Sequence, residues 1–233
     1  RRAKREGRRI SVFPSMCDPF DDHPSIEPWY RSGFGLLIMG TPNLDWLILT
    51  KRPENIPRFL PDMFRSAMLP PTTRPGENSA PPNVRIGVSV ENQHYADERI
   101  PALLSAWGGP NFVSYEPALG PVDFRGIWKH CPTHDFSGGF CIQDCGDWRR
   151  IDWIIAGGES GPGARPAHPD WFRQVRDQCQ AAAVPFFFKQ WGEWLPVYED
   201  ADGFFLPYTG AAAAAPRTQM RVGKKIARRL LAG

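Results

Sequence analysis

No stretch of this 233-residue chain reaches the roughly 18 uninterrupted apolar residues that a membrane-spanning helix needs. The opening Arg-Arg-Ala-Lys-Arg-Glu-Gly-Arg-Arg also lacks the apolar centre of a secretory signal, so no membrane partner and a cytoplasmic location are expected. Cysteine is scarce, with five in all, and in that compartment a disulfide is disfavoured. There is no internal repeat, no Walker loop with its Lys-Ser/Thr pair and no dinucleotide fingerprint. An initiator methionine is missing too. The first residues read as the end of a helix and residues 230–233 as a helix cut short, so a fragment of a longer protein is expected.

What is present is a rhythm. Five apolar runs, at residues 44–52, 84–91, 111–116, 151–159 and 184–191, each end in charged or small polar residues, and a weaker sixth occupies 10–16. Runs with so little alternation read as strands buried on both faces of a parallel sheet. Their spacing of about 27 to 40 residues suits strand-plus-helix units. The predicted fold is a parallel α/β barrel, partial or incomplete, of about six strands in a single domain over 1–233, with a doubly wound open sheet as the alternative. Helices are expected over residues 92–106, split by Pro101, and over 169–183, with Trp171, Val175 and Cys179 on the buried face. A basic amphipathic helix is expected over 220–231, with Val222, Ile226 and Leu230 on one side.

In parallel α/β folds ligands sit at the carboxyl ends of the strands. Those ends carry Lys51, Glu91, Glu116, Glu159 and Lys189, which predicts one polar pocket rather than five unrelated surface charges. Carboxylates and ammonium groups placed together exchange protons or bind a zwitterion such as an amino-acid moiety. Lys51, Glu116 and Lys189 are the candidate catalytic or substrate-orienting groups. After the fourth strong run comes Gly157-Gly158-Glu159-Ser160-Gly161, where glycine brings backbone amides close to a ligand; read blandly, it is a tight turn. Trp191 and Trp194 either stack on a base or close the edge of the barrel.

Between residues 125 and 150 lies a Cys/His-rich insertion. Cys131, His134, Cys141 and Cys145 supply two short-spaced pairs of ligands, as a structural zinc site requires, with His130 able to replace His134. Without a metal the same segment is a surface loop with free thiols.

Charge is polarised. Residues 1–9 hold six basic groups and one acid, and residues 217–233 hold six basic groups and no acid, so the remainder has 16 basic and 24 acidic residues, a net of −8. Basic ends on an acidic body either grip nucleic-acid phosphates or form solvated faces.

Several of these segments together resemble a known family. Asp45-Trp-Leu-Ile-Leu-Thr-Lys-Arg-Pro53, Gly87-Val-Ser-Val-Glu-Asn92, Ser114-Tyr-Glu-Pro-Ala-Leu-Gly-Pro121, residues 152–166, Pro185-Phe-Phe-Phe-Lys-Gln-Trp-Gly-Glu193 and Arg221-Val-Gly-Lys-Lys225 resemble the phage Gp thirty-seven/sixty-eight family, a domain of unknown function. Its full-length members look like radical-SAM barrels with three closely spaced cysteines for an iron–sulfur cluster. No such triplet precedes Arg1 here, so the resemblance implies the barrel and its substrate side, with S-adenosylmethionine and the cluster belonging to a longer form. It also implies that Glu91 and the residues from Gly157 to Gly161 contact the cofactor, and that Lys51, Glu116 and Lys189 orient a small-molecule or nucleotide substrate. The competing expectation is a non-catalytic interaction module that holds nucleic acid with the same cleft and the basic ends.

Overall fold

The computed structural model describes residues 7, 9–14, 17–24, 26, 28–64, 81–127, 129–130, 149–199, 205–207 and 218–224. Six strands form one sheet: β1 (Ile10–Val12), β2 (Leu44–Thr50), β3 (Val84–Ser89), β4 (Asn111–Tyr115), β7 (Ile154–Gly157) and β8 (Phe186–Gln190). Their order is β1-β2-β3-β4-β7-β8, and they pair in parallel, as in Trp46 with Val84 and Ile155 with Phe187. Each strand falls in one of the six apolar runs. The order never reverses, so there is no switch point of the kind a doubly wound sheet has. This is the partial α/β barrel class that the runs predict.

Between the strands lie α1 (Pro28–Met39), a 3₁₀ turn (Pro53–Asn55) leading into α2 (Ile56–Phe64), α3 (Gln93–Ala106) and α4 (Pro169–Ala181). Two-residue strands β5 (Lys129–His130) and β6 (Arg149–Arg150) pair antiparallel, and β9 (Trp194–Glu199), β10 (Phe205–Pro207) and β11 (Thr218–Arg221) form a three-stranded antiparallel sheet. No helix among the described residues is long and apolar enough to cross a membrane.

Three helix expectations need correction. Pro101 lies inside an unbroken α3. Its missing N–H and ring clash cost about 3 kcal/mol in a helix interior. The fully buried Ala96, Ile100, Leu103 and Leu104 stabilise the helix by more than that. In α4 the buried positions are Pro169, Phe172, Val175 and Cys179, while Trp171 is half-buried, because a 3.6-residue period puts position 172 rather than 171 in line with 175 and 179. Met220 and Arg221 are strand, not helix: β11 ladders against β9, with Met220 opposite Leu195. The rest of that predicted helix, from 225 on, lies outside the described residues.

The chain divides into two compact units, residues 1–89, 98–112 and 127–152 in the first and 90–97, 113–126 and 153–233 in the second. In the first, α1 packs on α2 and β2: Phe34 meets Trp46 edge to face at 5.5 Å, and the Arg31 guanidinium lies 3.8 Å over the Phe59 ring. In the second, Phe172 of α4 touches Tyr115, Phe188 and Trp191, which ties the helix to β4 and β8. Two glutamines fix the loop after β4. Gln93 binds both the N–H and the C=O of Asp123, and Gln178 binds the Phe124 N–H and the Val122 C=O.

Candidate functional site

Residues at the carboxyl ends of β4, β7 and β8 come together in the second unit. Tyr115 pairs with Ala156 and Ala156 with Phe188, but Gly157 then pairs with Gln190, so Lys189 is an extra residue in β8. Such a bulge re-aims a side chain. Lys189 Nζ reaches across the middle strand to Glu116 Oε2 at 3.2 Å, and Ser114 Oγ donates to the same oxygen at 3.1 Å. Gly157 makes this possible by size, since a Cβ there would stand 2.6 Å from Glu116 Oε1. The side chains of Glu116 and Lys189 are 13% and 34% exposed, so the pair faces water without being free in it.

A pair this exposed adds at most about 1 kcal/mol of stability. What it offers is chemistry. A carboxylate and an ammonium group side by side present an acceptor and donors to a ligand of matching charges, and can pass a proton between them.

The turn after Glu116 is pinned on both sides. The Ala118 N–H donates to the Gly157 carbonyl at 3.1 Å, and the Leu119 N–H donates to the Glu91 carbonyl at 2.8 Å. Glu91 itself is buried. Its backbone therefore supports the Glu116 turn.

The segment Gly157 to Gly161 is held from several directions. Gly158 N–H donates to the Gln190 carbonyl at 2.9 Å, Gly161 N–H to Glu193 Oε1 at 3.2 Å, and Gln190 Nε2 to Ser160 Oγ at 3.1 Å. Arg221 reaches from β11 to the carbonyls of Gly161 and Pro162. Across from it Gly192 has φ +83°, a conformation that a side chain disfavours, and a Cβ there would run into the Glu159 carbonyl. Glu159 is gripped by one residue: Arg165 donates Nε at 2.8 Å, Nη2 at 2.7 Å and its backbone N–H at 2.7 Å. These bonds hold the Glu159 carboxyl below the usual carboxylate range. Sequence reasoning found Glu159 and missed Arg165, although Glu-x5-Arg across a glycine turn was the available signal.

Lys51 belongs to the first unit. It is exposed, and its backbone N–H donates to Asp18 Oδ2 at 3.1 Å, an oxygen that also accepts from Thr50 Oγ1 at 3.0 Å. Burial raises the Asp18 carboxyl above its ordinary value, against the pull of those bonds and one from the Phe20 N–H. Asp18 went unnoticed in the sequence, although it follows the sixth apolar run as the charged residues follow the others. Beside it Cys17 Sγ hydrogen-bonds the Tyr30 hydroxyl.

Trp191 is 3% exposed and packs on Phe172 and Phe188, and Trp194 Nε1 donates to the Ala164 carbonyl at 2.7 Å. Trp191 serves packing, and Trp194, half-buried, is anchored by its indole N–H. Cys131, His134, Cys141 and Cys145, with the rest of the insertion's interior, lie outside the described residues. Among the described residues no three His, Cys, Asp or Glu are grouped to hold a metal.

No curated protein and no solved structure matches the chain. A family model described as "Protein of unknown function (DUF5131)" matches residues 2–233, and with almost the whole length covered the chain belongs to that family.

Proposed function

We propose that the chain is a phage-related enzyme domain of the radical-SAM type. In this reading Glu116 and Lys189 orient the substrate, and the Gly157–Gly161 segment with Glu159 and Glu91 contacts the amino-acid part of S-adenosylmethionine. The observation that carries the reading is the Glu116–Lys189 pair, built by a bulge and a space-making glycine at the strand ends. Structural ion pairs need neither device. The resemblance of the strand-end motifs to the phage Gp thirty-seven/sixty-eight family supplies the cofactor.

A cluster needs three thiolates. Of the described cysteines, Cys17 is hydrogen-bonded to Tyr30 and Cys179 is wholly buried. The iron–sulfur cluster does not fit the described residues, and in this reading a longer form of the protein supplies it. The structural zinc on Cys131, His134, Cys141 and Cys145 is proposed on its donor set alone, two pairs of nitrogen and sulfur ligands.

Calorimetry with S-adenosylmethionine tests the cofactor reading. Binding should be saturable and at least tenfold weaker in Glu159→Gln. No binding to the wild-type protein would sink it, and tight binding of single-stranded nucleic acid instead would establish the interaction-module alternative.

A further inference from the structure

The opposite faces of β7 and β8 are unlike. Phe188 points to α4, where it lies 5.0 Å from Phe172. Side chains alternate along a strand, so Phe187 and its cross-strand neighbour Ile155 point away from that helix. Phe187 is 41% exposed, a high value for a large aromatic ring in a sheet, and its ring lies 6.5 Å from that of Trp153. Lys189 follows two residues later and bridges to Glu116 over Gly157. The exposed Phe187 ring, with the half-buried Trp153 ring beside it, therefore lies two residues along β8 from the ammonium of the ion pair.

We propose that this surface binds a free aromatic α-amino acid. Its ring packs on Phe187 and Trp153, its carboxylate meets Lys189 and its ammonium meets Glu116. The charges choose the class: a nucleotide would bring phosphates against Glu116, whereas an amino acid carries one charge of each sign, matched to the pair. The ring has its own reason, because offset or edge contacts between aromatic side chains contribute beyond the area buried. Gly157 leaves the room that the Glu116 carboxylate occupies beside Lys189. The proposal rests on reading Glu116 and Lys189 as the substrate site and names what that site takes.

The test is calorimetry on the full chain with L-tryptophan, L-norleucine (head group without the ring) and indole (ring without the head group). L-tryptophan should bind at least tenfold tighter than either fragment. Phe187→Ala should reduce it to the level of L-norleucine, and Lys189→Met to the level of indole, with circular dichroism confirming that both variants remain folded. Phe187 is exposed, so its removal leaves the core intact. Equal binding of L-tryptophan and L-norleucine, or an unaffected Phe187→Ala, would overturn the proposal. Binding of S-adenosylmethionine without any aromatic amino acid would overturn it while leaving the cofactor reading standing. The reverse result would keep this site and remove that cofactor.

Discussion

At the scale of single residues, the site depends on an absent methyl group. Gly157→Ala would put a Cβ 2.6 Å from Glu116 Oε1 and drive that carboxylate off Lys189. The expected cost is at most about 1 kcal/mol in urea unfolding, because what moves is the end of a flexible side chain and what is lost is the ion pair. In the background Glu116→Ala the obstruction is gone, so the same substitution should cost clearly less, and additivity within about 0.5 kcal/mol would show that the two residues do not compete for space. The sequence announced the charges at these positions but not their pairing. Glu116 and Lys189 were legible as strand-end residues, because each follows an apolar run. That Lys189 turns toward Glu116 was not, because the bulge appears only as a skipped partner in the β7–β8 register. Arg165 shows the same limit. Its grip on Glu159 depends on a turn geometry that the intervening residues permit without specifying.

At the scale of elements, all six strands of the parallel sheet could be read from their apolar runs, since burial on both faces leaves a continuous signal. The helices were read less well where local propensity and packing disagree. Pro101 argues for a break, yet the four wholly buried side chains around it outweigh the missing hydrogen bond. Pro101→Ala restores that bond and removes the ring clash, while freeing the unfolded chain by about 0.4–1 kcal/mol. Against the roughly 3 kcal/mol that proline costs in a helix interior, the net expectation is a gain of about 2 kcal/mol, seen as a higher Tm. An unchanged or lower Tm would show that the local backbone is adapted to proline. The short strand β11 was misread for the opposite reason. Its apolar residues fit a helical period, but the ladder with β9 and the bonds of the Val222 and Gly223 N–H groups to the Glu193 carbonyl decide the matter.

At the scale of the whole molecule, the perturbed groups define a window of stability in pH. On the acid side, Glu159 is held low by Arg165, and Asp123 is pulled down to about 2 by Arg125. Carboxyls with depressed folded values contribute stability present above their unfolded pKa and lost as pH falls through the folded one. Both pairs are well exposed, so this loss is small. Asp18 acts in the other direction: its raised carboxyl gains a proton sooner in the folded state, which partly offsets the loss below neutrality. On the alkaline side the signs agree. Burial lifts Cys179 to about 12, burial and the Cys17 contact lift Tyr30 to about 12, and burial raises Tyr115 as well. Raised acids contribute stability that is full below their unfolded values, near 9 for the thiol and 10 for the phenols, and that is lost as pH climbs toward the folded ones. Melting followed from about pH 2 to about pH 11 should therefore show a broad plateau, a shallow fall below about pH 4 and a steeper fall above about pH 9. Tyr30→Phe removes one of the three alkaline contributions and should flatten that upper limb without moving the acid one. A Tyr30→Phe profile parallel to the wild type at high pH would mean that the Tyr30 phenol titrates at its ordinary value.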